Sequence, residues 1–200
     1  MLKHISTNNN ILGGKKMEYN FLESIPELET ERLILKPLNN EYKEEIYNHI
    51  LNSDGSILIQ NAKNSILQSE DTYFDEMMRL HSYGFIAQCV IISKVNKEFL
   101  GFIQLRKVFL TDSVLDVNVT IDNKNLNNNI ASEALSRILI FALMDLKVKR
   151  VEAVIDVNNI AAARVMNKCG MTSEGILRDR GTCGDAEMYA LTKTDLEKYI

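Results

Sequence analysis

Leu115-Asp116-Val117-Asn118-Val119-Thr120-Ile121 is followed by Asp122-Asn123-Lys124-Asn125-Leu126-Asn127-Asn128-Asn129. The chain then runs into Ile130-Ala131-Ser132-Glu133-Ala134-Leu135-Ser136-Arg137-Ile138-Leu139-Ile140-Phe141-Ala142-Leu143-Met144. In the first segment the odd positions are apolar and the even ones polar, the period of a strand with one buried face. In the third, Ala131, Ala134, Leu135, Ile138, Leu139, Ala142 and Leu143 fall on one stripe of a helix. A strand, a short polar loop and a helix start together make an anion site. The first-turn N–H groups have no intrahelical acceptor, and the helix dipole favours negative charge there. A phosphate-bearing cofactor is the natural occupant.

The bulk of the chain fits such a domain. Two hundred residues suffice for one domain with a full core. An apolar fraction of 46% with 25% charged residues is ordinary for a globular chain. A net charge of −4 argues against nucleic acid as a partner, which calls for a basic face. No apolar run reaches membrane-spanning length. Three widely spaced cysteines, Cys89, Cys169 and Cys183, suggest reduced thiols in a cytoplasmic protein. His4, His49 and His81 show no metal-ligand spacing, so no metal site is expected.

Residues 1–27 read as a disordered or mis-assigned extension. Asn8-Asn9-Asn10 and Gly13-Gly14 break any period, and no apolar segment makes a secretory signal. Gly13-Gly14-Lys15-Lys16 before Met17 matches what a purine-rich ribosome-binding site would encode, so Met17 is expected to be the true start. The folded domain spans 28–200. Leu28 to Leu38 reads as one strand ended by Pro37. Asn39 or Asn40 caps a helix to about Leu51 with Tyr42, Ile46 and Ile50 inward. The stretch 52–68 is ambiguous. Ser69 is expected to cap a second helix carrying Tyr73, Met77 and Leu80, stopped by Gly84. Its acidic start, Glu70, Asp71, Asp75 and Glu76, reads as a solvated face. Phe85–Ser93 and Phe99–Val108 form a hairpin around Val95-Asn96-Lys97-Glu98, and Thr111-Asp112-Ser113 turns into the next strand.

After the long helix, Arg150 to Asp156 alternates as a strand. Asn158 or Asn159 caps a helix from Ile160 to Lys168 that Gly170 ends. Met171–Arg178 and Ala186–Leu191 are two last strands, and Thr194 caps a terminal helix. The architecture is α/β: a mostly antiparallel sheet, helices on both faces and one βαβ crossover.

The central segment resembles the acetyl-CoA-binding core of the GNAT acetyltransferases, the RimJ/RimL branch in particular. That branch reads Glu-Leu-Gly-Tyr-Trp-Leu and then Gln-Gly-Lys-Gly-Tyr-Ala-Thr-Glu-Ala. Asp116 to Ile121 aligns with the first run and Leu126 to Ala134 with the second, with the loop glycines, the lysine and the glutamine replaced. Arg150-Val151-Glu152-Ala153 and Asn159 to Met171 resemble the family's Arg-Ile-Glu-Ala, Asn-x-x-Ser-x-Arg and Glu-Lys-x-Gly-Phe run. Thr30-Glu31-Arg32-Leu33 is similar to the branch's opening. The likeness spans roughly 28–192.

The resemblance implies a GNAT fold and acetyl transfer from acetyl-CoA to a primary amine, a protein N-terminus or a small amine, by direct attack. A monomer or homodimer is expected, and the charge and the lack of a membrane-spanning apolar run argue against nucleic-acid and membrane partners. Asp116 aligns with a family glutamate and is the candidate base, acting directly or through water; its plainer reading is a solvent-facing strand carboxylate. Ile121, Asn127, Asn128, Asn129, Ile130, Ala131 and Ser132 are the implied cofactor loop. Asn159, Arg164 and Lys168 join them from the following helix, where Asn159 can also simply be a cap. Asparagine is the least penalised substitute for glycine at positive φ. Ala162 and Met166 stand where the family carries a serine or a tyrosine, the candidate acids for the departing thiolate. A GNAT-fold binding or regulatory module is the alternative function.

Overall fold

The structure, a computed structural model, describes residues 25–53, 59, 62–64, 66, 70–108 and 113–198. Its frame is an eight-stranded sheet. In chain order the strands are β1 (Leu28–Glu29), β2 (Leu33–Pro37), β3 (Ile86–Ser93), β4 (Phe99–Lys107), β5 (Val114–Ile121), β6 (Arg150–Asp156), β7 (Thr172–Gly181) and β8 (Gly184–Thr192). They lie in the order β1-β2-β3-β4-β5-β6-β8-β7. Every neighbouring pair is antiparallel except β5 with β6, which the long helix joins as a crossover.

Helices α1 (Lys43–Asn52) and α2 (Glu70–Ser82) precede β3; α3 (Ile130–Ile140) follows β5, α4 (Ile160–Lys168) follows β6, and α5 (Lys193–Leu196) follows β8. The strand period divides the apolar residues between two cores. Leu33, Leu35, Cys89, Ile91, Ile103, Leu105, Leu115 and Val117 pack with α3 residues Ala134, Leu135, Ile138 and Leu139. Ile34, Val90, Ile92 and Phe102 pack with Tyr42, Ile46, Ile50, Tyr73 and Phe74 from the α1 and α2 side. Ile25 belongs to the first core at 4% exposure, so packing reaches back ahead of β1.

Four expectations are corrected. The single strand 28–38 is a tight hairpin. Thr30 N–H donates to the Leu33 carbonyl at 3.0 Å, the Thr30 hydroxyl accepts from Leu33 N–H at 2.9 Å, and Leu28 comes to face Leu35. The Asn39 side chain does accept from Glu41 N–H at 2.9 Å, but it caps a 3-10 turn, Asn40–Tyr42, that precedes α1. The long helix changes pitch after Ile140: Phe141–Asp145 is a π turn, closed by Leu146 N–H to the Phe141 carbonyl at 3.0 Å. The last helix is capped by Thr192 rather than Thr194. Thr192 and Asp195 form a reciprocal capping box, which places Thr194 inside the helix. The cap expected of Ser69, the turn at Thr111-Asp112, the start at Met17 and most of 52–68 lie outside the described residues.

Candidate active site

The site arises where the sheet forks. β5 and β6 pair only from Val114↔Arg150 to Asp116↔Glu152. Beyond that point β5 stays with β4 as far as Gly101↔Ile121, and β6 stays with β8 as far as Asp156↔Ala186. The two therefore diverge. The helices that follow each strand begin at the open end of the fork, so the N-termini of α3 and α4 face a common cleft of about 860 Å³. That is within the range of small-molecule and cofactor pockets.

The loop between β5 and α3 has the shape that glycines would otherwise allow. Asn127 and Asn129 take positive φ, 62° and 60°. Asn129 occupies the N-cap position of α3 without using its side chain as a cap. Its Oδ1 instead accepts from Lys168 Nζ of α4 at 2.8 Å, bridging the two helix starts. Ile121, Asn127, Asn129, Ile130, Ala131, Ser132, Asn159, Arg164 and Lys168 all line the cleft. Asn159 also caps α4, accepting from Ala162 N–H at 3.0 Å.

Asn128 departs from the expected set. It does not line the cleft: its carbonyl accepts from Arg32 Nη2 at 3.1 Å and its side chain donates to the Asn125 carbonyl at 3.4 Å. With residues on both sides at positive φ, the loop turns this residue outward.

Asp116 stands at the apex of the fork and is only 7% exposed, against the plainer reading of a solvent-facing carboxylate. Its Oδ2 accepts from Arg106 Nη2 at 2.7 Å and from Asn118 Nδ2 at 3.1 Å. Burial pushes the carboxyl above its ordinary range. Arg106 pulls it down by charge and hydrogen bond, the facing Glu152 adds to the rise, and Asn118 lowers it; burial prevails. Glu152 also lines the cleft and accepts from Arg150 Nε at 3.0 Å, while Arg150 forks onto Glu174 with two 2.6 Å bonds. The apex thus holds two carboxylates, each tied to an arginine.

Sequence reading missed Arg106, Glu152 and Arg180 as cleft residues. The first two were within reach, since Arg106 is the cross-strand partner of Asp116 on β4 and Glu152 its parallel partner on β6. Arg180 gives no such signal. It lines the cleft from the β7–β8 hairpin, which Thr182 ties to β6 by donating its hydroxyl to Asp156 Oδ2 at 2.8 Å. Ala162 and Met166 line the cleft as expected of their positions and bring no hydroxyl to it.

Residues 32–172 match the acetyltransferase (GNAT) domain family. The chain belongs to the GNAT acetyltransferases. It is 24% identical over 172 residues to the uncharacterized N-acetyltransferase YoaA of Bacillus subtilis, covering 84% of this chain and 97% of the relative. Among solved structures it is similar to RimL, a ribosomal L7/L12 alpha-N-protein acetyltransferase in complex with coenzyme A. The TM-score there is 0.70 at 15% identity, with 82% of this chain and 95% of that one covered. It is similar as well to spermidine N-acetyltransferase from Vibrio cholerae in complex with CoA and spermine. That match has a TM-score of 0.70 at 16% identity, covering 83% and 98% of the two chains. The forked sheet and the two cores are therefore a GNAT fold, as the family resemblance implies. Among the described residues, no helix is long and apolar enough to cross a membrane.

Proposed function

We propose that this GNAT protein transfers an acetyl group from acetyl-CoA to a primary amine, with Asp116 as general base. The observation that carries the reading is the placement of a buried carboxylate of raised pKa in the same cleft as an anion-binding helix start. The residues fit the donor. The N-terminus of α3 offers N–H groups of Ile130, Ala131 and Ser132, and Arg164, Lys168 and Arg180 line the same cleft. Together they suit a diphosphate. The diverging edges of β5 and β6 leave room for an extended arm leading toward Asp116.

Acetyl-CoA supplies an activated thioester, so no covalent bond to the protein is needed. The chain's own task is to deprotonate and align the amine. A protonated amine is drawn to Asp116 and Glu152. A carboxylate whose pKa lies above the ordinary range is a stronger base than an exposed one, and Asp116 takes the proton that the amine must lose before attack. Arg106 and Asn118 fix the carboxylate in place. The departing thiolate is a stable anion, which suits a cleft where Ala162 and Met166 offer no acid. Acceptors of RimL and of the spermidine enzyme are amines of different size, and both classes, a protein N-terminus and a small polyamine, suit this reading. Free cysteines, with Cys183 exposed, support action in the cytoplasm.

Thermal-shift titration with acetyl-CoA tests the donor, because a ligand bound only by the folded chain raises its melting temperature. Acetylation of a mixed panel of peptides and polyamines tests the transfer. A second reading, a non-catalytic coenzyme-A-binding module, draws on the Lys168–Asn129 contact, which already engages a cleft cation. Saturable binding of acetyl-CoA with no acetylation of any amine would favour it.

A further inference from the structure

The anion-binding loop is gripped from outside the cleft by the first hairpin of the chain. Glu133, in the first turn of α3, receives the Thr30 hydroxyl at 2.5 Å and Arg32 N–H at 3.0 Å on one carboxylate oxygen. Its other oxygen receives Arg32 Nε at 2.7 Å and Nη2 at 2.6 Å. The same Nη2 reaches on to the Asn128 carbonyl at 3.1 Å. Hairpin and loop are about a hundred positions apart in sequence, and a single guanidinium joins the helix start to the loop peptide.

That last bond has a geometric consequence. In a trans peptide, the C=O of one residue and the N–H of the next point in opposite directions. Arg32 holds the Asn128 carbonyl outward, so the N–H of Asn129 is directed the opposite way, toward the side on which Asn129 lines the cleft. Nη2 serves both acceptors, the Glu133 carboxylate and the Asn128 carbonyl, so one nitrogen of a planar guanidinium fixes their separation.

We infer that Arg32, braced by Thr30 and Glu133, is a positioning residue for cofactor binding: it fixes the Asn128–Asn129 peptide so that the Asn129 amide is presented to a diphosphate group. This rests on the coenzyme A reading above. It gives Thr30-Glu31-Arg32 a role in ligand recognition although neither Thr30 nor Arg32 lines the cleft. It also accounts for how the loop keeps a receptive shape without glycines.

The test compares coenzyme A with pantetheine, which carries the thiol arm without the diphosphate, by isothermal titration against the wild type, Arg32→Ala and Arg32→Lys. Arg32→Ala is expected to weaken coenzyme A by about tenfold, the worth of one charge-assisted hydrogen bond, and to leave pantetheine unchanged. Arg32→Lys keeps a cation for Glu133 but cannot span to Asn128, so it is expected to retain wild-type thermal stability and still lose coenzyme A affinity. The lysine variant keeps the test informative where the alanine variant fails to fold. Equal loss for both ligands, or full coenzyme A affinity in Arg32→Lys, would overturn the inference and leave Arg32 a purely structural tie. A wild-type chain that binds pantetheine and coenzyme A equally would overturn it too, while leaving acetyl transfer intact. A wild-type chain that binds neither would overturn both readings.

Discussion

Replacing Asn129 with glycine separates the loop's shape from its side chains. Asn129 has φ 60° and ψ 12°, a left-handed conformation that costs a non-glycine residue on the order of 1 kcal/mol. Glycine removes that cost but adds flexibility to the unfolded chain, a penalty of about 0.4–1 kcal/mol. The two nearly cancel, so the melting temperature of Asn129→Gly is expected to stay within a few degrees of wild type. The strain also contributes nothing to affinity, because the angle is already positive in the loop itself. Any gain in binding must come from the side chain. Its Oδ1 holds Lys168 Nζ at 2.8 Å, and both residues are exposed, so the contact is worth about 0–1 kcal/mol. Freeing Lys168 for a phosphate and clearing the amide group from the cleft wall should tighten coenzyme A by about threefold to fivefold, on the order of 1 kcal/mol. Isothermal titration reads the affinity and differential scanning fluorimetry the stability. A variant that binds coenzyme A no better than wild type, or worse, would refute the reasoning. It would mean that the asparagine amide contributes a contact of its own.

Four further outcomes are expected. Asp116→Asn should lower acetylation turnover by at least about a hundredfold with coenzyme A affinity nearly unchanged, since an amide accepts no proton; in wild type the acid limb of the rate profile should lie above the ordinary carboxylate value of about 3.9. The same variant should be no less stable at neutral pH. A carboxyl whose folded pKa is raised binds its proton more tightly when folded, so the ionised form costs stability as pH rises through that pKa; urea melts at pH 4 and pH 7 check the sign. Leu135→Ala, at a fully buried position of α3, should cost about 2–5 kcal/mol in a denaturant titration. Gly101→Ala should abolish folding, judged by circular dichroism: the backbone there has φ +146°, and an added Cβ would run into the Thr120 carbonyl of the neighbouring strand.

The fold was largely legible because its signals are local. The alternation from Leu115 to Ile121 delivers Leu115 and Val117 to the core beneath α3, and α4 begins at Ile160 and ends at Lys168 with Asn159 as its cap, as the sequence pattern indicates. Leu28 to Leu38 reads as one strand because strand propensity runs through it, while the turn is made by a threonine hydroxyl bonding three residues on, a choice that propensity does not encode. The π turn at Phe141 is invisible for a similar reason: its apolar residues suit either pitch, and only packing selects one. In the site, the cleft wall on α3 follows from a helix start after a strand and a polar loop, and the wall on α4 follows from the family resemblance alone. The burial of Asp116 follows from neither, because alternation assigns polar even positions to solvent. Position 116 escapes that rule by sitting at the fork, where the parallel strand supplies Glu152 and the antiparallel one Arg106.

The asparagine loop raises a question of energy that the contacts around it answer. Two left-handed asparagines cost on the order of 1 kcal/mol each, and a loop of glycines would avoid the cost. A loop with glycine throughout would also be free to adopt many other shapes, and ordering it would oppose ligand binding, whereas a single glycine at 129 would stay tied by Glu133 N–H to its own carbonyl and by Arg32 to the Asn128 carbonyl. Here the Asn128–Asn129 end of the loop is held by bonds from three directions. Glu133 N–H donates to the Asn129 carbonyl at 3.0 Å along the helix axis, Lys168 takes the Asn129 side chain across the cleft, and Arg32 takes the Asn128 carbonyl from behind. Burial raises the pKa of the Glu133 carboxyl, but the Thr30 and Arg32 hydrogen bonds outweigh that effect and hold it below its ordinary value. The charge that braces the loop therefore persists at neutral pH and is lost only as the medium is acidified through that lowered pKa. The strain is thus offset by contacts outside the cleft, and the amides of the helix start are set before a ligand has to order them. Replacing glycine with asparagine then exchanges adaptability for preorganisation, and the burden of shaping the site passes from the loop to the hairpin behind it.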